Sequence, residues 1–178
     1  MTDRTQRVVA SIGLAIGGIF GMAGTFAPSA SLRGLAWGID GAALVMATAV
    51  LALQFHRRGH DDVAAGFLVF CIGESVILSG VAMDLKASAP SFAAGISLWA
   101  VGLGLVSVGP VWPLAVRLLG FLAAALFLFT ALSIFGGALV TPLTAPLPFY
   151  GYPVLVATFA GWILTLVRTP AAMRSGPA

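Results

Sequence analysis

DDVAAGFLVFCIGESVILSGVAMD, residues 61–84, decides the fold. Between Asp62 and Asp84 the only charged side chain is Glu74. A helix needs about 20 predominantly apolar residues to cross the hydrocarbon core of a bilayer, and 63–84 supplies them. A helix lying on a soluble core would show a charged stripe at the helical period, and this stretch has none. Working outward, similar apolar runs occupy roughly 8–27, 34–55, 91–109, 114–139 and 150–168. Of the 178 residues, 60% are hydrophobic and 8% charged, against about 25% charged in an average soluble domain. The expected fold is all-α: a polytopic transmembrane bundle of about six spans, forming a single transmembrane domain over 1–178.

The breaks between the runs carry physical punctuation. Ala27-Pro28-Ser29 closes the first, and His56-Arg57-Arg58-Gly59-His60-Asp61-Asp62 separates the second from the third. Lys86 to Pro90 follows the third, and Pro110 and Pro113 flank Trp112 after the fourth. The stretch 141–148 holds Pro142, Pro146 and Pro148 and cannot be regular helix, because proline lacks the amide donor and clashes with the preceding turn.

Basic residues orient the chain. With the N-terminus inside, Arg4, Arg7, Arg57, Arg58, Arg117, Arg168 and Arg174 are cytoplasmic, leaving Arg33 and Lys86 outside. Both termini are then cytoplasmic. Tyr150 and Tyr152 suit an outer interfacial belt and Trp112 an inner one. A competing reading makes the first run a cleaved signal peptide, but it exceeds the 7–15 residues typical of a signal h-region. Eight arginines to one lysine, amid heavy Ala and Gly use, point to a GC-rich bacterial genome and so to a bacterial inner membrane. The net charge of +3 is spread thinly rather than gathered in a patch, which excludes nucleic acid as a partner. The expected partners are the lipid bilayer and a second copy or another membrane protein.

Glycines mark faces where helices approach closely. Gly13, Gly17 and Gly21 recur at spacing four; Gly66, Gly73 and Gly80, then Gly95, Gly102 and Gly109, recur at spacing seven. Packing within one bundle is the plain reading of these faces, and docking of a partner is the functional one. A match of Gly66-Phe67-Leu68 with Gly120-Phe121-Leu122 does not establish an internal repeat.

Glu74 carries the chemistry. A charge at the centre of a spanning helix costs on the order of 2.5–3.5 kcal/mol, so it should face the bundle or a water-filled cavity. There it either loads and releases a proton or hydrogen-bonds a neighbouring helix. Asp40 lies near the outer end of the second run, and antiparallel neighbours would set it about one turn from Glu74, with Ser75 and Ser79 nearby. The expected site is an acidic, hydroxyl-lined pocket opening outward, with an Arg33–Asp40 salt bridge as the competing fate of Asp40. Asp84 is expected at a solvated helix end.

His56 and His60, four apart, form a weak alternative metal site, which Arg57, Arg58 and Gly59 disfavour; otherwise no metal and no cofactor is expected. Cys71 stands alone, so no disulfide forms within the chain. Trp37, Trp99 and Trp162 read as packing, with Trp99 and Trp162 deep enough to line a pocket. There is no Gly-x-Ser-x-Gly, no His-Glu-x-x-His and no phosphate-binding loop, so the reading leans away from an enzyme. The run Cys71-Ile72-Gly73-Glu74-Ser75-Val76 resembles the apolar-Gly-Glu-Ser stretch of the low-temperature-requirement A family of bacterial membrane proteins, and no residue role is carried across. Two functions remain: a carrier for a proton-coupled or cationic solute working through Glu74, or a non-catalytic subunit or assembly factor that docks a partner through its glycine faces.

Overall fold

The structure is a computed structural model describing residues 2–168. Its regular elements there are helical: α1 (Asp3–Thr25), α2 (Ala30–His56), α3 (Asp61–Ser79), α4 (Ala89–Val108), α5 (Leu114–Phe135) and α6 (Tyr152–Arg168). A π-helical turn, Leu147–Gly151, leads into α6. With that turn counted into the last, all six are long and apolar enough to cross a membrane.

Local chemistry sets the boundaries. The Thr2 and Ser29 hydroxyls accept from the Thr5 and Leu32 amides and cap α1 and α2, satisfying donors that a helix start leaves orphaned. Because of that cap α1 starts at Asp3, ahead of the apolar run expected from residue 8. Between α2 and α3 the chain turns at Gly59, whose φ of +73° is a left-handed conformation that glycine adopts without strain. Asp61 and Asp62 fall in the first turn of α3, where they meet the positive end of the helix dipole. At the far end of α4, Arg117 donates from α5 to the carbonyls of Ser107 (2.8 Å) and Val108 (2.9 Å). A cation thereby closes the negative end of that helix.

Two runs stop earlier than their hydropathy suggests. The third ends at Ser79 rather than residue 84. The Asp84 carboxylate accepts from the Lys86 and Ala87 amides at 2.9 and 3.0 Å, a local turn that competes with helix. Asp84 is therefore a loop residue, not a helix end. The amides of Ala87 and Lys86 also hold its carboxyl below the usual carboxylate range. The fifth run ends at Phe135 rather than residue 139, because Gly137 takes a φ of +92° and turns the chain away.

Each helix packs on its neighbours in the chain, and α6 packs back on α1 to close a ring. Glycines set the closest approaches. A Cβ on Gly66 would lie 2.8 Å from the Gly102 carbonyl oxygen, and one on Gly73 would lie 2.7 Å from that of Gly95. Gly13 likewise meets Ala47 on α2. Gly80 faces the Ser91 hydroxyl from the end of α3, and Gly109 faces Val63.

Connections alternate between two ends. Arg58 pairs with Asp3 at 3.2 Å, and Gln54 donates to the Asp3 carbonyl, so the start of α1 and the α2–α3 turn share an end. That end also holds Arg4, Arg7, Arg57, Arg117 and Arg168, whereas Arg33 and Lys86 lie toward the other. Arg174 falls outside the described residues. Inside this basic half an aromatic cluster fills the ring. Phe67 meets Trp162 at 5.0 Å between centroids, and Phe55, Trp112 and Phe159 pack around them. Trp112, expected at an interface, is instead only 3% exposed, because the 109–113 connection folds its indole inward against Phe55, Phe67 and Trp162.

Candidate functional site

The half of the ring away from the N-terminus is not filled. It holds a partly open cavity of about 90 Å³. Its walls come from the later half of α1 (Gly17 to Thr25), the early half of α2 (Trp37, Asp40, Leu44), the end of α3 with the 80–88 connection, the start of α4, and the first turns of α6. The floor is aromatic: Phe159 and Trp99 line the cavity, and Phe70 stacks on Trp99 beneath it at 5.1 Å.

Asp40 and Glu74 both line this space, from antiparallel neighbours α2 and α3, near enough for the Glu74 carboxyl to act on that of Asp40. Glycines make their seats. A Cβ on Gly21 would stand 2.9 Å from Asp40 Oδ2, one on Gly17 would stand 3.2 Å from Oδ1, and one on Gly41 would stand 3.1 Å from Glu74 Oε1. Any larger residue there would take the space that the carboxyl groups occupy. The same α1 face receives the Trp37 indole over Gly24, and its N–H donates to the Gly21 carbonyl at 3.3 Å.

The electrostatics are unbalanced. Glu74 is 3% exposed. Its Oε2 and Asp40 Oδ1 are buried without a well-formed hydrogen bond, and the one donor set against the Glu74 carboxyl is the Trp99 indole N–H. Among the described residues no Lys, Arg or His lines the cavity. Arg33 does not pair with Asp40. Its guanidinium donates to the Ala27 carbonyl and lies 6.0 Å from the Trp37 ring centre. Buried acceptors are nearly always matched by a partner, yet the described residues bring no basic side chain to these two carboxyl groups.

The pairing of Asp40 with Glu74 was legible in the sequence; the hydroxyl lining differs from the expected one. Ser75 and Ser79 are exposed on the outer face of α3, and their hydroxyls donate to the Cys71 and Val76 carbonyls. On a helix they lie one and five residues past Glu74, too far round to share its face. The hydroxyls at the cavity belong to Thr25, Ser88, Ser91 and Tyr152. Tyr152, expected in an interfacial belt, turns inward and donates to the Pro142 carbonyl at 3.0 Å, while Tyr150 is exposed. Proline spacing around Tyr152 gave no signal that Pro142 lines the cavity and accepts from that hydroxyl.

Of the pocket tryptophans, Trp99 lines the cavity, whereas Trp162 sits below it in the aromatic cluster. His56 donates from Nδ1 to the Asp61 carboxylate at 2.9 Å on an exposed turn, and the described residues hold no cluster of three His, Cys, Asp or Glu side chains fit for a metal ion. Comparisons with known protein families, characterised proteins and solved structures find no match.

Proposed function

We propose that this chain is a six-span protein of the bacterial inner membrane, with both termini cytoplasmic, that carries a cationic solute or a proton through the Asp40–Glu74 cavity. The observation that carries this reading is a pair of carboxylates, Glu74 buried and Asp40 half-buried, facing one cavity with no basic side chain to neutralise them. Ionisable groups at such depth are expensive and mark ion or substrate pathways. The orientation rests on basic residues: six of those within 2–168 gather at the N-terminal end and two lie toward the other, so the cavity opens outward. The aromatic cluster then closes the inner half, as alternating access requires of an outward-facing state.

The carrier reading also has the plainer account of the glycines: Gly13, Gly17, Gly21, Gly66, Gly73, Gly80, Gly95 and Gly102 each meet a neighbouring helix of the same bundle.

Proton and cation flux in proteoliposomes tests the carrier reading. Wild type should show flux that Glu74→Gln reduces to the protein-free background at equal insertion and monodispersity. Wild-type protein that is folded, inserted and silent toward protons and all cations tried would end the carrier reading. A milder variant probes the seat of Asp40. Gly21→Ala puts a methyl group 2.9 Å from Oδ2 and should weaken cation binding roughly tenfold, the equivalent of about 1.4 kcal/mol. Because the carboxyl end is free to swing, thermal stability should hardly change, and unaltered affinity would show that Asp40 needs no fixed position.

A further inference from the structure

We infer that the cavity selects a small alkylammonium ion rather than an inorganic cation; this rests on the carboxylate pocket proposed above and names its ligand class. The argument begins with what the walls offer. An alkali or alkaline-earth ion stripped of water needs a shell of oxygens, six to eight for calcium and a near-ideal six for magnesium. Here the anionic oxygens come from Asp40 and Glu74 alone. The remaining side-chain oxygens are neutral: the hydroxyls of Thr25, Ser88, Ser91 and Tyr152 donate to the Gly21, Leu85, Ser88 and Pro142 carbonyls and offer a cation only uncharged lone pairs.

Everything else on the wall is apolar or aromatic. Trp37, Trp99, Phe92 and Phe159 line the same cavity as the two carboxylates, together with Leu44, Leu78 and Leu155. An ammonium head has only three donors, and two carboxylates can take them all. The aromatic faces attract a desolvated cation through their quadrupoles, and the aliphatic wall accepts an alkyl body that an inorganic ion lacks. This is the usual economy of small-molecule sites: a mostly apolar cleft with a few convergent polar groups that fix orientation. The volume of about 90 Å³ limits the ligand to a body of a few carbons.

The test is a binding series on wild-type protein in nanodiscs, measured calorimetrically with methyl-, ethyl- and propylammonium beside sodium, potassium and magnesium. Affinity should rise roughly three- to fourfold with each added methylene, and all three amines should outbind the metal ions. In Glu74→Gln the whole amine series should weaken by at least about tenfold. Amine affinities that stay flat with chain length, or that fall below those of sodium or potassium, overturn the alkylammonium assignment while leaving a cation pocket standing. Absence of binding by every cation overturns the pocket reading itself.

Discussion

Trp162→Ala should lower the unfolding free energy of the purified protein by about 3–5 kcal/mol, the range for emptying an aromatic site in a packed core. Trp162 is 1% exposed. Its ring meets Phe67 at 5.0 Å, Phe159 at 5.5 Å and Trp112 at 5.9 Å. In lipid the gain from leaving water is small, but atoms that line a void forfeit dispersion attraction in any medium. Phe67, Phe159 and Trp112 also touch each other or further rings, so they cannot collapse inward without pulling away from those neighbours. The variant should also raise passive proton leak across proteoliposomes, because the plug beneath the cavity loses its central ring. Thermal unfolding in detergent and a pH-gradient decay assay check both effects. A midpoint within about 2 °C of wild type together with an unchanged leak would mean that the cluster is neither keystone nor barrier.

Gly73→Ala and Gly34→Ala should change stability in opposite directions. Both glycines lie within helices, so each substitution gains up to about 1 kcal/mol of helix propensity. At Gly34 nothing lies within 4 Å of the new methyl group, and the gain stands. At Gly73 the methyl group would be 2.7 Å from the Gly95 carbonyl oxygen and 2.9 Å from Leu98 Cβ. Those are backbone and near-backbone atoms that move only if α3 and α4 part. Overpacking costs typically 1–3 kcal/mol, and the helix seam gives no flexible side chain to absorb it. Gly73→Ala should therefore lose about 1–2 kcal/mol net and fall in monodisperse yield, while Gly34→Ala matches or exceeds wild type. Equal melting temperatures for the two variants would refute a close α3–α4 contact.

The helices were legible because hydropathy over a long window depends on composition, which the chain displays openly. Helix ends were less so. The third and fifth runs stay apolar past their last helical residue, and only local competition, from the Asp84 side chain and the left-handed Gly137, stops them. The site was half legible. Glu74 announces itself as the lone charge in its run, and antiparallel neighbours bring Asp40 to it. Which residues share their face depends on helix rotation, and a twenty-residue apolar helix without a polar stripe does not record its own rotation. That is why proximity in the chain groups Ser75 and Ser79 with Glu74 although they lie outside. It is also why spacing alone does not separate internal glycines from exposed ones: Gly34 and Gly38 are four apart like Gly13 and Gly17, yet have nothing within 4 Å.

The ring of helices also dictates an order of assembly during synthesis. As each helix leaves the ribosome, its predecessor in the ring is already in place, so α1 through α5 can associate pairwise with little search. The α6–α1 seam differs, because it joins the two ends of the described chain. Leu155, Val156 and Phe159 of α6 are part of the cavity wall, and Val156 and Phe159 lie beside Gly18 of α1. Until that seam forms, Asp40 and Glu74 face a gap that opens sideways into the surroundings. The cavity is thus the last part of the molecule to close, and a nascent chain stalled before Tyr152 carries both carboxylates without the α6 part of the wall that encloses them.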